Sequence, residues 1–306
     1  MIATQYIRFL HFICLFDQVI LRFAIEHKSI REAVPHIFRR PVLSVEPHDS
    51  LLKAGTFLAI GPQIYVDGLV VLDGSSPVGR IGGKSIIKHI LESKGEWQYA
   101  RVADMMDRSV YGAEAGSSIS YALDIFGETR FAFVPVTINY KIAASLTIRN
   151  VQRYVISAGT SGLDRPVKEI SSPIVALEND ASVGNALAAM VQNNVRNMVI
   201  RAEKSSGENM LIINDRKILE FLLSHDGRQM MSEKGLTGLY EIKVAELEML
   251  VPKQVEPDMP ARKAAELMSD VNRPCLLVNA AEHPHHPDSI ITPWDIVMRG
   301  FRNKDG

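Results

Sequence analysis

The chain has 306 residues, 46% of them hydrophobic and 23% charged, with a mean hydropathy near zero; this is an ordinary globular composition, long enough for two domains. Lys and Arg (34) balance Asp and Glu (35), which excludes the electrostatic footprint of a nucleic-acid binder and any polybasic membrane patch. Two cysteines, Cys14 and Cys275, lie too far apart for a disulfide framework or a metal motif and fit a reducing cytoplasm.

Residues 1–33 form an apolar, amphipathic segment. Ile7 to Phe16 reads IRFLHFICLF and Val19 to Ile25 is again largely apolar, but Arg8, Asp17 and Arg22 interrupt the run. A membrane helix needs about 20 mostly apolar residues, and no small-residue cleavage site follows. The expectation is an amphipathic helix packed on the body of the protein or on a partner chain. Membrane association, or a start codon placed too far upstream, is the alternative.

Four units follow, at 34–96, 97–160, 161–228 and 239–302, each ordered strand, helix, strand, strand, helix. The first strands are PVLSVEP (41–47), SVYGAEA (109–115), PIVALEN (173–179) and PKQVEPD (252–258), with Glu46, Glu114, Glu178 and Glu256 at one common point. Helical spacing comes next; Val183, Leu187, Met190 and Val191 are the clearest case, and Ala261, Ala265 and Met268 repeat it. The apolar runs GLVVLDG (68–74), RFAFVPV (130–136), RNMVIRA (196–202) and RPCLLVN (273–279) suit buried strands. Each unit closes on a strand-to-helix junction: GRIGGKSIIKHI (79–90), ASLTIRNVQRYV (144–155), LIINDRKILEFL (211–222) and SIITPWDIVMRG (289–300).

From each glutamate to the first junction residue the interval is 36, 33, 36 and 36 residues, a constancy that marks an internal repeat. Two breaks punctuate the series: Ser157 to Asp164, between the second and third units, and Ser224 to Leu239, the longest candidate linker.

Over roughly residues 34–302 this pattern resembles the CBS-domain family, and SIITPWDI (289–296) looks like the family's ending of two apolar residues followed by Thr-x-x-Asp. The resemblance implies an α+β fold of four tandem β-α-β-β-α repeats, paired through their sheets into two Bateman modules. It also implies a stand-alone, non-catalytic regulator that binds an adenine nucleotide (AMP, ADP or ATP), with S-adenosylmethionine sharing the adenosine half.

Thr292-Pro293-Trp294-Asp295 is, on its own terms, a helix-start signature. The same geometry offers free amides to phosphate and a carboxylate to a ribose diol. The resemblance places ribose and phosphate on Thr292 and Asp295. Thr147 and Asn150 are the second-best copy, since an amide oxygen still accepts from ribose. Asn214 with Lys217, and Gly82 with Ser85, depart from the pattern. The resemblance further implies that Ile170, Val175, Val195, Arg196 and Asn197 wall the unit-four site, and Arg40 and Pro41 the unit-two site. Arg130, Arg196 and Arg273 open central strands; as forked cations they suit phosphate, though a solvated surface arginine is the plainer reading.

Other signals carry less. GRIGGKS (79–85) leaves only three residues between Gly79 and its Gly-Lys pair, one short of a phosphate-binding loop. His283, His285 and His286 lie in a Pro-broken loop without a Cys ligand, which reads as solvated rather than metal-bound. Cys275 sits in an apolar strand as a small core residue, and no residue set suggests catalysis. The expected partners are an adenosyl ligand and an effector protein, with the units closing either into an intrachain disc or through a homodimer. A ligand-free interaction scaffold is the rival reading.

Overall fold

Each unit is built on a crossover. Its first strand is short (Ser44–Val45, Ala113–Glu114, Ala176–Glu178, Lys253–Val255) and pairs in parallel with its second (Leu69–Asp73, Phe133–Ile138, Asn197–Lys204, Leu276–Asn279). A parallel pair needs a connection long enough to turn back, and the intervening helices Leu51–Ala59, Ile119–Thr129, Val183–Gln192 and Ala261–Leu267 supply it. The third strands (Ser76–Ile81, Lys141–Thr147, Gly207–Asn214, Pro287–Ile291) return antiparallel as hairpins. The second helices then start at the junctions: Gly83–Glu92, Ile148–Ser157, Asp215–Leu223, and Pro293–Asp295 continuing as a π turn over Ile296–Phe301. The computed structural model describes residues 23–302 except 62–65, 94–96, 110–111, 205–206 and 284–285. The run Ile7–Phe16 with Arg8, Asp17 and Arg22, Cys14 and His285 lie outside the described residues.

The units close into a ring within one chain. Consecutive units meet through sheets. Units three and four bury Val199, Met210, Ile212, Cys275, Leu277 and Ile290 between them, and strand Ser172–Pro173 joins the unit-four sheet. Helices join the two modules. Leu51–Ala59 packs on Asp215–Leu223 and Gly83–Glu92 on Val183–Gln192, linking units one and three, while Ile148–Ser157 packs on Ala261–Leu267, linking two and four. The two main cores accordingly cross the module boundary, one shared by units one and three and the other by units two and four. Dozens of fully buried Leu, Ile and Val side chains, each contributing about 1.5–3 kcal/mol, thus hold the modules together.

A sixth recurring element precedes the other five of each unit: a single turn at Ile30–Ala33, Val102–Met105, Val167–Glu169 and Val244–Glu246. Its first apolar residue (Ile30, Val102, Val167 or Val244) is fully buried. The amide of that residue donates to the other unit of the module: Ile30 to Ser117, Val102 to Asp49, Val167 to Met259, Val244 to Ala181, all at 2.8–2.9 Å. Units one and two therefore exchange lead turns, and so do three and four. An acid three residues past the cap accepts from the cap's own amide in three of the four, Glu32, Asp104 and Glu246.

Two expectations change here. Residues 29–33, read from the sequence as part of the N-terminal amphipathic segment, belong to the repeat series and pack into unit two. The stretch from Ser224 to Leu239 is no extended linker: it folds as helices His225–Lys234 and Leu236–Glu241, and Leu239 is buried in the core shared by units one and three.

Candidate functional site

The four junctions point inward. Because the modules pack helix to helix, the starts of the second helices converge on one cavity of about 600 Å³ at the centre of the ring. Its walls carry Thr292 to Asp295, Thr147 to Asn150, Asn214 to Lys217, and Lys84. The separate clefts expected for units two and four open into this common space.

Thr292 and Asp295 form a closed capping box. Asp295 Oδ2 accepts from the Thr292 amide (2.9 Å) and hydroxyl (2.6 Å), and Oδ1 accepts from the Ser172 hydroxyl (3.0 Å) with Arg299 at 3.6 Å. Burial pushes this carboxyl above its ordinary range, and the bonds from Thr292, the Arg299 charge and the Ser172 bond only partly offset that. Oδ1 keeps a lone pair for a further donor. Thr147 and Asn150 repeat the box with an amide: Asn150 Oδ1 accepts from the Thr147 amide and hydroxyl, both at 2.8 Å.

Unit three replaces the pattern with charge. Asn214 caps its helix by accepting from the amides of Arg216 and Lys217. Asp215, 1% exposed, accepts from Arg196 Nε (2.9 Å) and Nη2 (3.3 Å), and Arg196 also faces Asp67 at 3.5 Å. Burial disfavours both charges of the Arg196–Asp215 pair. Their mutual attraction wins, holding the carboxyl low and the guanidinium charged. Gly83 explains the glycine pair at the unit-one junction. A Cβ there would meet the Asp215 carboxylate, so the glycine makes room for a unit-three side chain rather than cradling phosphate.

Of the residues expected at the site, Thr292, Asp295, Thr147, Asn150, Arg130, Val175, Val195, Arg196 and Asn197 line the cavity. Ile170, Arg273, Arg40 and Pro41 do not. Ile170 is buried beneath the last turn, against Gly300. Arg273 turns to Asp270 at 3.7 Å, and its carbonyl accepts from Arg149. Arg130 caps its helix in a left-handed conformation (φ 57°) with its guanidinium over Trp294. Lys84, Arg149, Arg153, Asp215 and Arg216 line the wall as well and were not anticipated. A signal for three of them was available: Lys84, Arg149 and Arg216, like Trp294, sit two places after a junction residue.

Seven basic and five acidic side chains face the cavity, an excess of cationic groups. Cys275 is buried and its thiol is pushed up to about 12 by burial, so it is no nucleophile at neutral pH. No helix among the described residues is long and apolar enough to cross a membrane.

No protein-family model and no curated protein matches the sequence. Solved structures do match. Protein MJ1225 of Methanocaldococcus jannaschii, described as a proposed archaeal homolog of g-AMPK, is 15% identical, with a TM-score of 0.73 over 89% of this chain and 99% of that one. A conserved protein from Pyrococcus horikoshii is 15% identical, with a TM-score of 0.52 over 85% and 95%. The CBS domain pair of protein MJ0100, solved with 5-methylthioadenosine and S-adenosyl-L-methionine, aligns with 40% of this chain and 94% of its own at a TM-score of 0.34 and 18% identity. This chain has the fold of tandem CBS proteins, its four units closed into one ring.

Proposed function

We propose that the chain is a non-catalytic regulatory sensor that binds an adenine nucleotide (AMP, ADP or ATP) in the central cavity and passes its occupancy to an effector protein. One observation carries this reading: all four junction helices open onto a single cationic cavity that also holds the Thr292–Asp295 and Thr147–Asn150 boxes. Asp295 Oδ1 would accept a ribose hydroxyl, giving up or sharing the Ser172 bond. Helix-start amides and the surrounding cations would meet phosphate. A ligand spanning this space touches both modules, so it favours whichever packing of the modules it fits better. S-adenosylmethionine would use the adenosine half of the same site.

The test is a thermal-shift series with AMP, ADP, ATP, NAD and S-adenosylmethionine on the wild type and Asp295→Ala. A ligand at about 100 times its dissociation constant stabilises by about 2.7 kcal/mol. A shift with an adenosyl compound that vanishes in the variant supports the reading; no shift with any of them defeats it. A ligand-free scaffold is the second reading, favoured by one fact: Asp295 is already engaged by Thr292 and Ser172.

A further inference from the structure

Each capping box is also held from behind by the other unit of its module. In the second module Ser172, five residues past the lead-turn residue Val167, donates its hydroxyl to Asp295 Oδ1 at 3.0 Å. In the first module His36, six residues past Ile30, sets its Nε2 at 3.4 Å from the Asn150 side-chain nitrogen. Two different residues thus reach the equivalent atom of two boxes from nearly the same place in the repeat. Ser172 lines the cavity. His36 stands behind the wall, on the turn Pro35–Arg39 that packs against the strand Lys141–Thr147.

Hydrogen-bond chemistry fixes the state of the ring. Asn150 Oδ1 accepts from the Thr147 backbone amide, a group that can only donate, so the oxygen faces Thr147 and the NH₂ faces His36. An NH₂ donates, so Nε2 is the unprotonated acceptor and the ring proton sits on Nδ1. Burial, then the positive charges of Arg40 on the same segment and Arg153 on the unit-two helix, hold the imidazole below its ordinary value. The remaining charged groups around it are engaged or turned to solvent: Glu32 accepts from its own cap Ser29, Arg31 lies over the Phe38 ring, and Arg39 and Lys141 are exposed.

Protonation reverses the contact. Both nitrogens of an imidazolium donate, so a second donor would face the NH₂. Turning the amide over presents the NH₂ to the Thr147 amide instead, which repeats the conflict there. Acid therefore leaves Asn150, 3% exposed, with no orientation that suits both neighbours. The Ser172 hydroxyl on Asp295 does not titrate, so the other box has no such switch.

We propose that His36 is a proton-operated positioning residue: its neutral ring holds the Thr147–Asn150 box closed, and its protonation opens the box and weakens binding there. The effect on binding rests on the adenine reading above; the opening of the box does not.

Nuclear magnetic resonance of the ligand-free protein, labelled at histidine, asparagine and threonine, reads the switch between about pH 8 and about pH 5. In the wild type the Asn150 side-chain amide and the Thr147 backbone amide should move with the titration of His36. In His36→Gln, whose amide oxygen accepts at every pH, they should stay in place. In Asn150→Asp a carboxylate faces the ring, so the His36 titration should move up by about one pH unit or more, a response that packing alone would not produce. Unfolding midpoints near that of the wild type at about pH 7.5 show that the variants are folded. Calorimetric titration with AMP and ATP at about pH 7.5 and about pH 5.5 then tests binding. On acidification the wild type should lose about fivefold more affinity than His36→Gln, the scale of one hydrogen bond; both keep Asp295, whose own titration cancels in the comparison. A ring that titrates while the Asn150 and Thr147 signals stay still, or that stays neutral throughout, overturns the switch and leaves the adenine reading standing. Nucleotide affinity with the same pH dependence in the wild type and His36→Gln also overturns it. Coupled signals with no binding of AMP or ATP at either pH uphold the opening of the box and defeat the adenine reading.

Discussion

Arg80 and Asp107 exchange backbone hydrogen bonds (3.0 and 2.9 Å) and a side-chain ion pair (2.7 Å) at the place in the first module where Ile212 and Leu250 exchange the same backbone bonds (2.8 Å each) in the second. The backbone geometry is conserved between the modules while the chemistry is inverted. Arg80 is 1% exposed and lies over the Phe131 ring at 4.1 Å; its counterpart Ile212 sits in an apolar interface.

Removing one member of a buried ion pair strands the other, at a cost of about 3–5 kcal/mol for a fully buried pair. Asp107 keeps 26% of its side chain exposed, which softens the loss to about 2–3 kcal/mol. Asp107→Leu should therefore destabilise by that amount in urea unfolding. Arg80→Ile with Asp107→Leu, which copies the second module, should return to within about 1 kcal/mol of wild type.

The same pair sets an acid limit. Burial alone would raise the Asp107 carboxyl, but hydrogen bonds from Ser109 and Arg80 and the Arg80 charge outweigh it, and its folded value lies below the ordinary one. A depressed carboxyl contributes stability that is present above the unfolded value, near 3.9, and is lost as pH falls through the folded value. Buried Asp215 acts in the same direction. These two carboxyls should make unfolding midpoints fall below about pH 4, and the fall should be shallower in the Arg80→Ile, Asp107→Leu protein.

Ile30 is fully buried in the core of units two and four. Ile30→Ala should cost about 2–5 kcal/mol, the range for a large-to-small change in a packed core, read from the urea midpoint. A loss under about 0.5 kcal/mol would mean that the lead turn contributes little to this core.

Gly83 sets propensity against packing. Alanine gains up to about 1 kcal/mol over glycine within a helix, yet its Cβ would meet the Asp215 carboxylate across the contact of units one and three. That oxygen is fixed by Arg196 and cannot retreat cheaply, so Gly83→Ala should destabilise by about 1–3 kcal/mol. Pairing it with Asp215→Ala should shrink the glycine effect, a coupling that a double-mutant cycle measures.

The repeats were legible because their signal is local and recurs four times: one glutamate, one apolar run and one junction at a near-constant interval. The lead turns were not, since Ile30 and Val102 open segments of four residues whose partners, Ser117 and Asp49, belong to another unit. Thr292 and Asp295 could be read as a box from their spacing. That Lys84 and Arg216 share its cavity follows from ring closure, which no local pattern encodes. Arg273 illustrates the reverse: a cation in the expected register, drawn instead to Asp270 three residues away.

Asp295 should show stability and binding in opposition. Burial raises its carboxyl above the ordinary value despite the bonds from Thr292 and Ser172. A carboxyl with a raised folded value opposes folding as pH climbs from the unfolded value through the folded one. Asparagine keeps an oxygen for the Thr292 amide and hydroxyl and an NH₂ that can donate to the Ser172 hydroxyl, so the cap survives without the buried charge. Asp295→Asn should hold or raise the unfolding midpoint of the ligand-free protein at pH 7 and reduce the stability lost as pH climbs above the unfolded value. In the same protein, the added stabilisation by ATP should fall, because a neutral amide oxygen is a weaker acceptor for a ribose hydroxyl than a carboxylate. A midpoint that drops at pH 7 would instead make the ionised carboxylate, with Arg299 at 3.6 Å, a structural requirement of the last turn.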